Sequence, residues 1–480
     1  MASPANDLDY STLEVDVRAQ NLNNYPEVAI PRDPEVNPQP YARENYPEPV
    51  CPLDYGEGKS DALADKVPAI AEPTICGLGR KIFWIVLAVA IVAVVGFIVG
   101  VTTGILLKRS PDRAEDGGTA NSTTAGNDTS LSPRSRLAAT NFTDGLGNEN
   151  YIVVYQLSNK AIYMSTWNSS HRQWVISPVV DGTGKNGVSL DEILDGTSIG
   201  LDIYRLSASD RNMHLYWLSP AGLIKSLFLR TISTDEPTTV DDWEIPPANN
   251  KNVASPGSSL VSYGKQCVDG CPNWTYFFWQ AEDSTLGGAE LSLPTTNVWK
   301  GLPFDTSAYA PLSPDTSISL SYTLSANGTS SIDIFYRSDS GSLAVMNFDG
   351  DETFWGDNLP RDVSVNTSIV AFGMGSDDTP SNNPNPVVIQ VLTVDHEAAN
   401  GVQLTYYRDA WNRLQTEVTD LSDCTTVGSM AVNRAQRLYC LIEGGTGVEL
   451  VEWVWKGDPR GDETMFLSWE RVGTVDTTVA

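Results

Sequence analysis

Apolar and polar positions divide the chain into distinct regimes. Residues 1–79 contain no long apolar run and carry fourteen acidic residues, five basic residues and eleven Pro. Such a stretch buries too little surface to offset its ordering entropy, so residues 1–80 read as a disordered, acidic, Pro-rich tail. From Ile82 to Leu107, 26 residues run without a charge. At about 1.5 Å per residue this exceeds a hydrocarbon core of roughly 30 Å, which predicts one tilted transmembrane helix over 81–107. It lies too deep in the chain, and runs too long, for a cleaved signal peptide. Residues 108–134 are rich in Ser, Thr, Gly, Asn and Asp and read as a flexible stalk. From about Ser135 to the end the pattern shifts to short runs of alternating β-formers with almost no helical period.

These runs recur. A small or polar start leads into an alternating strand at Leu137-Ala138-Ala139, Ser198-Ile199, Ser259-Leu260, Ser317-Ile318, Ser368-Ile369 and Ser429-Met430. A second strand follows each, and a Trp marks the fourth: Trp174, Trp243, Trp299, Trp355, Trp411 and Trp469. With Tyr155, Trp217, Trp279, Tyr336, Val391 and Cys440 as markers, the spacings are 62, 62, 57, 55 and 49 residues. Six repeats of four strands predict an all-β, six-bladed β-propeller over 135–480, which closes radially and leaves only short edges. A sandwich with extra strands does not explain the sixfold recurrence.

Charge and composition narrow the chemistry. Lys+Arg is 31 against Asp+Glu 60, a net charge of −29, with no basic cluster to grip nucleic acid. Three His and six Cys leave little room for a metal enzyme, and no cofactor is implied. All seven Asn-x-Ser/Thr sequons follow the apolar span: Asn121, Asn127, Asn141, Asn168, Asn273, Asn327 and Asn366. Four cysteines suited to an oxidising compartment also follow it, and short spacing favours the pairs Cys267–Cys271 and Cys424–Cys440 among three pairings. Flanking positive charge leans weakly the other way, but the sequons decide the orientation. The expectation is a single-pass type II glycoprotein. Its tail would face a cytosolic partner of unknown identity, and its propeller would be extracellular or luminal.

The repeat pattern resembles the fungal fucose-specific lectins, six-bladed propellers of the orange-peel-fungus type. The resemblance covers about residues 135–475 and is clearest from Arg136-Leu137-Ala138-Ala139-Thr140 through Tyr155-Gln156, and from Arg437-Leu438-Tyr439-Cys440 with Val448 through Trp455. It implies a sugar held by a second-strand Arg and a third-strand Glu, with an aromatic ring on its apolar face. An Arg fork donates to ring oxygen and hydroxyls while a carboxylate accepts from others. In the first five blades the Arg position reads Ile152, His214, Tyr276, Asp333 and Val388. The Glu position reads Met164, Ser226, a residue near Glu290, Val345 and Thr405. Only the last blade keeps both, as Arg437 and Glu452, with Trp453, Trp455 and Trp469 near enough in sequence to supply a ring. The resemblance therefore implies at most one site for a glycan, L-fucose being the family's sugar. Arg437 and Glu452 equally fit an ion pair between adjacent strands, worth about 0–1 kcal/mol at a surface.

Other motifs lack their context. Gly182-Thr183-Gly184-Lys185-Asn186-Gly187 fits a dinucleotide fingerprint but joins two β-units with no following helix. Arg460-Gly461-Asp462 is an adhesion-like triplet in a predicted hairpin loop. No paired carboxylates in strand context suggest a glycosidase. The sequence thus reads as a non-catalytic, membrane-anchored, lectin-like glycoprotein. The alternative is a degenerate propeller that contacts proteins or cell wall without binding sugar.

Overall fold

The computed structural model describes residues 128–479, apart from 208, 231, 247–250, 256, 267–273, 293–298, 325–329, 349–353, 375–387, 396–400 and 446. It also describes a two-residue ladder pairing Thr74–Ile75 with Leu78–Gly79. The predicted span at 81–107, the tail and most of the stalk lie outside the described residues, as do Cys267, Cys271, Asn121, Asn127, Asn273 and Asn327. Among the described residues no helix is long and apolar enough to cross a membrane.

Six four-stranded antiparallel sheets follow in chain order, each built from four consecutive strands. Blade one comprises Ala138–Thr143, Glu149–Gln156, Ile162–Asn168 and Trp174–Val180. Blade two comprises Ile199–Arg205, Arg211–Leu218, Ile224–Leu229 and Trp243–Glu244. Blade three comprises Leu260–Tyr263, Trp274–Gln280, Leu286–Ser292 and Trp299–Gly301, and blade four Ile318–Leu324, Ser330–Arg337, Ser342–Phe348 and Phe354–Asp362. Blade five comprises Ser368–Met374, Val388–Val394, Val402–Arg408 and Ala410–Arg413, and blade six Met430–Val432, Arg437–Gly444, Gly447–Trp455 and Trp469–Thr474. The first strands contact one another in cyclic order, with blade six against blade one, so the ring closes. All six marker Trp fall on fourth strands, as the repeat predicts.

A blade has a neighbour on each face, so both faces of its inner strands are buried and the period-two signal fades into continuous apolar runs. Every residue of Val388–Val394 is buried. Alternation decides which neighbour a side chain meets. Leu438, Cys440, Val451, Trp453 and Trp455 of blade six pack with blade five. Tyr439, Leu441 and Leu450 of the same strands pack with Val153, Tyr155 and Leu157 of blade one.

The serines at the strand starts fasten this ring near its axis. Ser198 Oγ accepts from the Leu260 backbone N–H of blade three (2.7 Å), and Ser317 Oγ from Ile369 of blade five (3.2 Å). Ser368 Oγ donates to the Gly428 carbonyl, and Ser429 Oγ to the Ser135 carbonyl across the closure (2.8 Å). The propeller starts before Ser135: Leu131 is buried against blade one and the Ser132 N–H bonds the Gln156 carbonyl (3.0 Å), so the end of the predicted stalk belongs to the domain. Cys424 and Cys440 form a disulfide as expected, but Cys424 sits in the 3₁₀ turn Thr419–Thr425 rather than on a strand.

Candidate functional site

Arg437 begins the second strand of blade six, and Glu452 lies on the third strand directly opposite Tyr439. The hairpin sets them diagonally on one face, two residues apart in register, close enough to bond across strands. Arg437 Nη1 donates to Glu452 Oε1 (2.9 Å), and the Tyr439 hydroxyl donates to the same oxygen (3.1 Å). The guanidinium lies 4.3 Å from the centre of the Tyr151 ring of blade one, which stacks on Trp167 at 5.2 Å. Guanidinium, carboxylate, phenol and stacked aromatic pair therefore meet where the last blade closes on the first.

Burial governs the electrostatics. Glu452 is 5% exposed, and its burial raises its carboxyl above the ordinary range against the opposing pull of Arg437 and the two hydrogen bonds. Burial works against the Arg437 charge, but Glu452, Tyr151 and Tyr439 outweigh it and hold the guanidinium above its usual value. Burial, then the neighbouring carboxylate, pushes Tyr439 far up, so its hydroxyl stays a donor. The bond to Glu452 uses one of the five N–H donors that a guanidinium fork carries.

Trp453, Trp455 and Trp469 do not join this site, which corrects the sequence expectation. Neighbouring residues on a strand point to opposite faces, so Trp453 turns away from Glu452. Trp453 and Trp455 are buried against blade five, and Trp469 meets Phe372 edge-on at 5.8 Å. The ring beside Arg437 is Tyr151, 286 residues earlier in the chain (437 − 151). Strand parity in blade six was enough to exclude Trp453; only ring closure brings Tyr151 in.

Register also corrects two slots. Ile369 pairs with Thr393, as Ile318 pairs with Tyr336, so the fifth-blade marker is Thr393 rather than Val391. Its Arg position then holds Gln390 instead of Val388, and its Glu position Leu404 instead of Thr405. Blade three holds Gly288, opposite Phe278. Ile152, His214, Tyr276 and Asp333 stand where expected, so blade six alone carries both Arg and Glu. His214 is committed elsewhere, its Nδ1 being 2.8 Å from Asp202 Oδ1.

Among the described sequon asparagines, Asn366 is exposed and the half-buried Asn141 accepts the Ala435 N–H across the closure (3.1 Å). Asn168 is 2% exposed and its Nδ2 donates to Asn150 Oδ1 (2.7 Å) and Thr234 Oγ1 (3.3 Å). The nitrogen that would carry a glycan there is inside the fold, so this sequon is withdrawn as an acceptor. Asp462 of the Arg-Gly-Asp triplet caps the turn Glu463–Leu467, accepting from the Thr464 N–H (3.0 Å).

No family model and no curated protein matches the sequence. Solved structures do match. The Aleuria aurantia lectin, as a point mutant in complex with α-methyl-L-fucoside, has a TM-score of 0.53 at 13% identity, over 73% of this chain and 98% of that one. A mutant of AofleA from Arthrobotrys oligospora has a TM-score of 0.51 at 17% identity, over 72% and 89%. The fold is that of the six-bladed fungal lectins. At these identities the likeness establishes architecture, and the propeller's chemistry rests on its own residues.

Proposed function

We propose that the propeller is a non-catalytic carbohydrate-binding module with a single site for an L-fucose-type sugar, at the junction of blades six and one. One observation carries this reading: Arg437, Glu452 and Tyr151 converge from two blades. The set holds a charged donor, an acceptor and an aromatic ring, the group types that suit a sugar with hydroxyls on one side and a methyl or C–H face on the other. The fucoside bound to the Aleuria aurantia lectin supports the ligand class. Single-site monosaccharide binding is typically near millimolar, about −4 kcal/mol, and one site gives no avidity within the ring. Calorimetric or NMR titration with L-fucose should show binding by wild type that Arg437→Ala takes below detection, since charge-assisted bonds contribute about 1.5–3 kcal/mol each. Ile152→Ala should leave binding unchanged. Equal binding by wild type and Arg437→Ala sinks the assignment.

A second reading has its own support. Glu452 already accepts from Arg437 and Tyr439 and is nearly buried, as a structural pair would be. On that reading the propeller contacts protein or cell wall, and neither wild type nor Arg437→Ala binds fucose.

We propose further that the chain is a single-pass type II membrane protein, on the uncharged run at 82–107 and the placement of every sequon after it. Peptide N-glycosidase should reduce the apparent mass of the full-length protein by several kilodaltons, and in intact vesicles the propeller, not the tail, should resist protease. Protection of the tail instead would reverse the orientation.

A further inference from the structure

A cavity opens on the propeller axis at the end where the first strands begin, and the sugar site does not use it. Five blades place a serine at one equivalent position on its wall: Ser198, Ser259, Ser317, Ser368 and Ser429. Blade one breaks the series with Arg136. Arg136 Nη1 donates across the ring to the Gly257 carbonyl (3.0 Å) and to Ser259 Oγ (3.4 Å), at the entry to blade three. Its Nε and Nη2 have no hydrogen-bond partner among the described residues, and neither is sealed from solvent. Burial pulls the guanidinium below its usual value, and the charge of Asp315, an exposed residue on the same wall, acts the other way. The wall thus keeps N–H donors in a half-buried position beside a carboxylate acceptor.

The occupant is indicated by what else stands on the wall. Asn366, the exposed sequon asparagine, lines the same cavity, in the turn that leads from blade four to blade five. Its φ of 67° is the left-handed conformation that Asn tolerates better than most residues. A glycan carried there begins at the cavity wall. Its first residue, an N-acetylhexosamine, is neutral, with an acetamide carbonyl to accept from a guanidinium and hydroxyls to donate to a carboxylate. The wall's charges discriminate in the same direction. Asp195 and Asp315 oppose a free anion, and Arg136 opposes a free cation. The covalent link also holds the sugar at an effective concentration on the order of millimolar, so weak contacts suffice to seat it.

We propose that an N-glycan on Asn366 folds back over the axial cavity, its first N-acetylhexosamine held by Arg136 and Asp315. The proposal rests on the type II placement of the propeller argued above. It also fixes an order of events. Ser368, the hydroxyl residue of this sequon, donates to the Gly428 carbonyl of the folded ring, so the glycan is added before blade five closes on blade six.

The test uses full-length protein from a glycosylating eukaryotic host. Peptide N-glycosidase in heavy-oxygen water marks each asparagine it releases, so mass spectrometry reads the rate at Asn366 beside that at Asn121, in the segment read as a stalk. On folded protein, release at Asn366 should be slower by about tenfold or more; after denaturation the two rates should agree within about twofold. Arg136→Ser, which restores the residue of the other five blades, should abolish the difference while thermal unfolding confirms a folded chain. Should that variant not fold, hydrogen exchange decides: Asn366→Gln should speed exchange at 134–136 and 315–317 relative to wild type, and unchanged exchange overturns the proposal. So does an unglycosylated Asn366 beside a glycosylated Asn121, equal release from folded protein, or slow release that survives Arg136→Ser. Each of these leaves the topology standing. A chain without a glycan at any sequon overturns the topology and this proposal together.

Discussion

Asp333 stands in blade four where blade six has Arg437, and it shows what burial does to a carboxylate held by neutral partners. It accepts from Asn347 Nδ2 (2.7 Å) and is only 5% exposed, and burial raises its pKa to about 6, against hydrogen bonds that act to lower it. Because the folded value lies above the unfolded one, the folded state binds this proton more tightly. Its contribution is therefore complete below about pH 4 and is lost as pH rises towards 6. The shift from 3.8 to about 6 corresponds to about 3 kcal/mol at 1.36 kcal/mol per unit. Asp333→Asn should match wild-type stability near pH 3 and exceed it by up to about 3 kcal/mol at pH 7. Urea unfolding at the two pH values checks this, and a variant less stable at pH 7 would show that the ionised carboxylate is favourable. The sequence showed an acid in this slot; its burial depends on blade five closing over it.

At the scale of strands and blades, the sequence carried more. Six recurrences, four strands each and a fourth-strand Trp were legible because Trp and strand-start Ser recur at nearly constant spacing. The site was half legible. Arg437 and Glu452 lie on one hairpin, so local pattern placed them, whereas Tyr151 reaches them only through ring closure. The second strand of blade five was misread by two residues because both of its faces are buried, and a two-residue slip preserves alternation. Parity gives the sharpest contrast between neighbouring elements. Trp453 serves the blade five–six core, so Trp453→Ala should cost roughly 3–5 kcal/mol of stability while leaving the fucose affinity of the folded protein within about twofold. Tyr151→Ala should instead raise the Kd about tenfold or more, by removing the ring beside Arg437, a contact worth roughly 1–2 kcal/mol. Paired denaturation and titration of the two variants decides it; a Trp453→Ala protein that folds but loses fucose returns the tryptophan to the site.

The propeller is a ring whose ends meet without sharing a strand: blade six contains only its own four strands, and blade one likewise. Closure thus rests on side-chain packing between the two blades and a few polar links. Ser429 bonds Ser135, Asn141 bonds Ala435, and Ser165 Oγ donates to the Asp476 carbonyl (2.6 Å) beyond the last strand, where Val475 is buried. The proposed sugar site spans this same junction, since Arg437 and Glu452 come from blade six and Tyr151 from blade one. A ligand that needs both blades binds the closed ring and not the opened one, so occupancy and closure are linked: at 100 Kd the closed state gains about 2.7 kcal/mol. Deleting residues 475–480 should weaken closure and lower the thermal midpoint by several degrees, and saturating L-fucose should restore part of that loss. In the same truncation with Arg437→Ala, fucose should restore none. Hydrogen exchange supplies the spatial check: fucose should slow exchange first at the strands of blades one and six that face each other, leaving blades three and four unchanged. Uniform protection around the ring would mean that the junction is no weaker than the other five, and that the ligand stabilises the propeller as a whole.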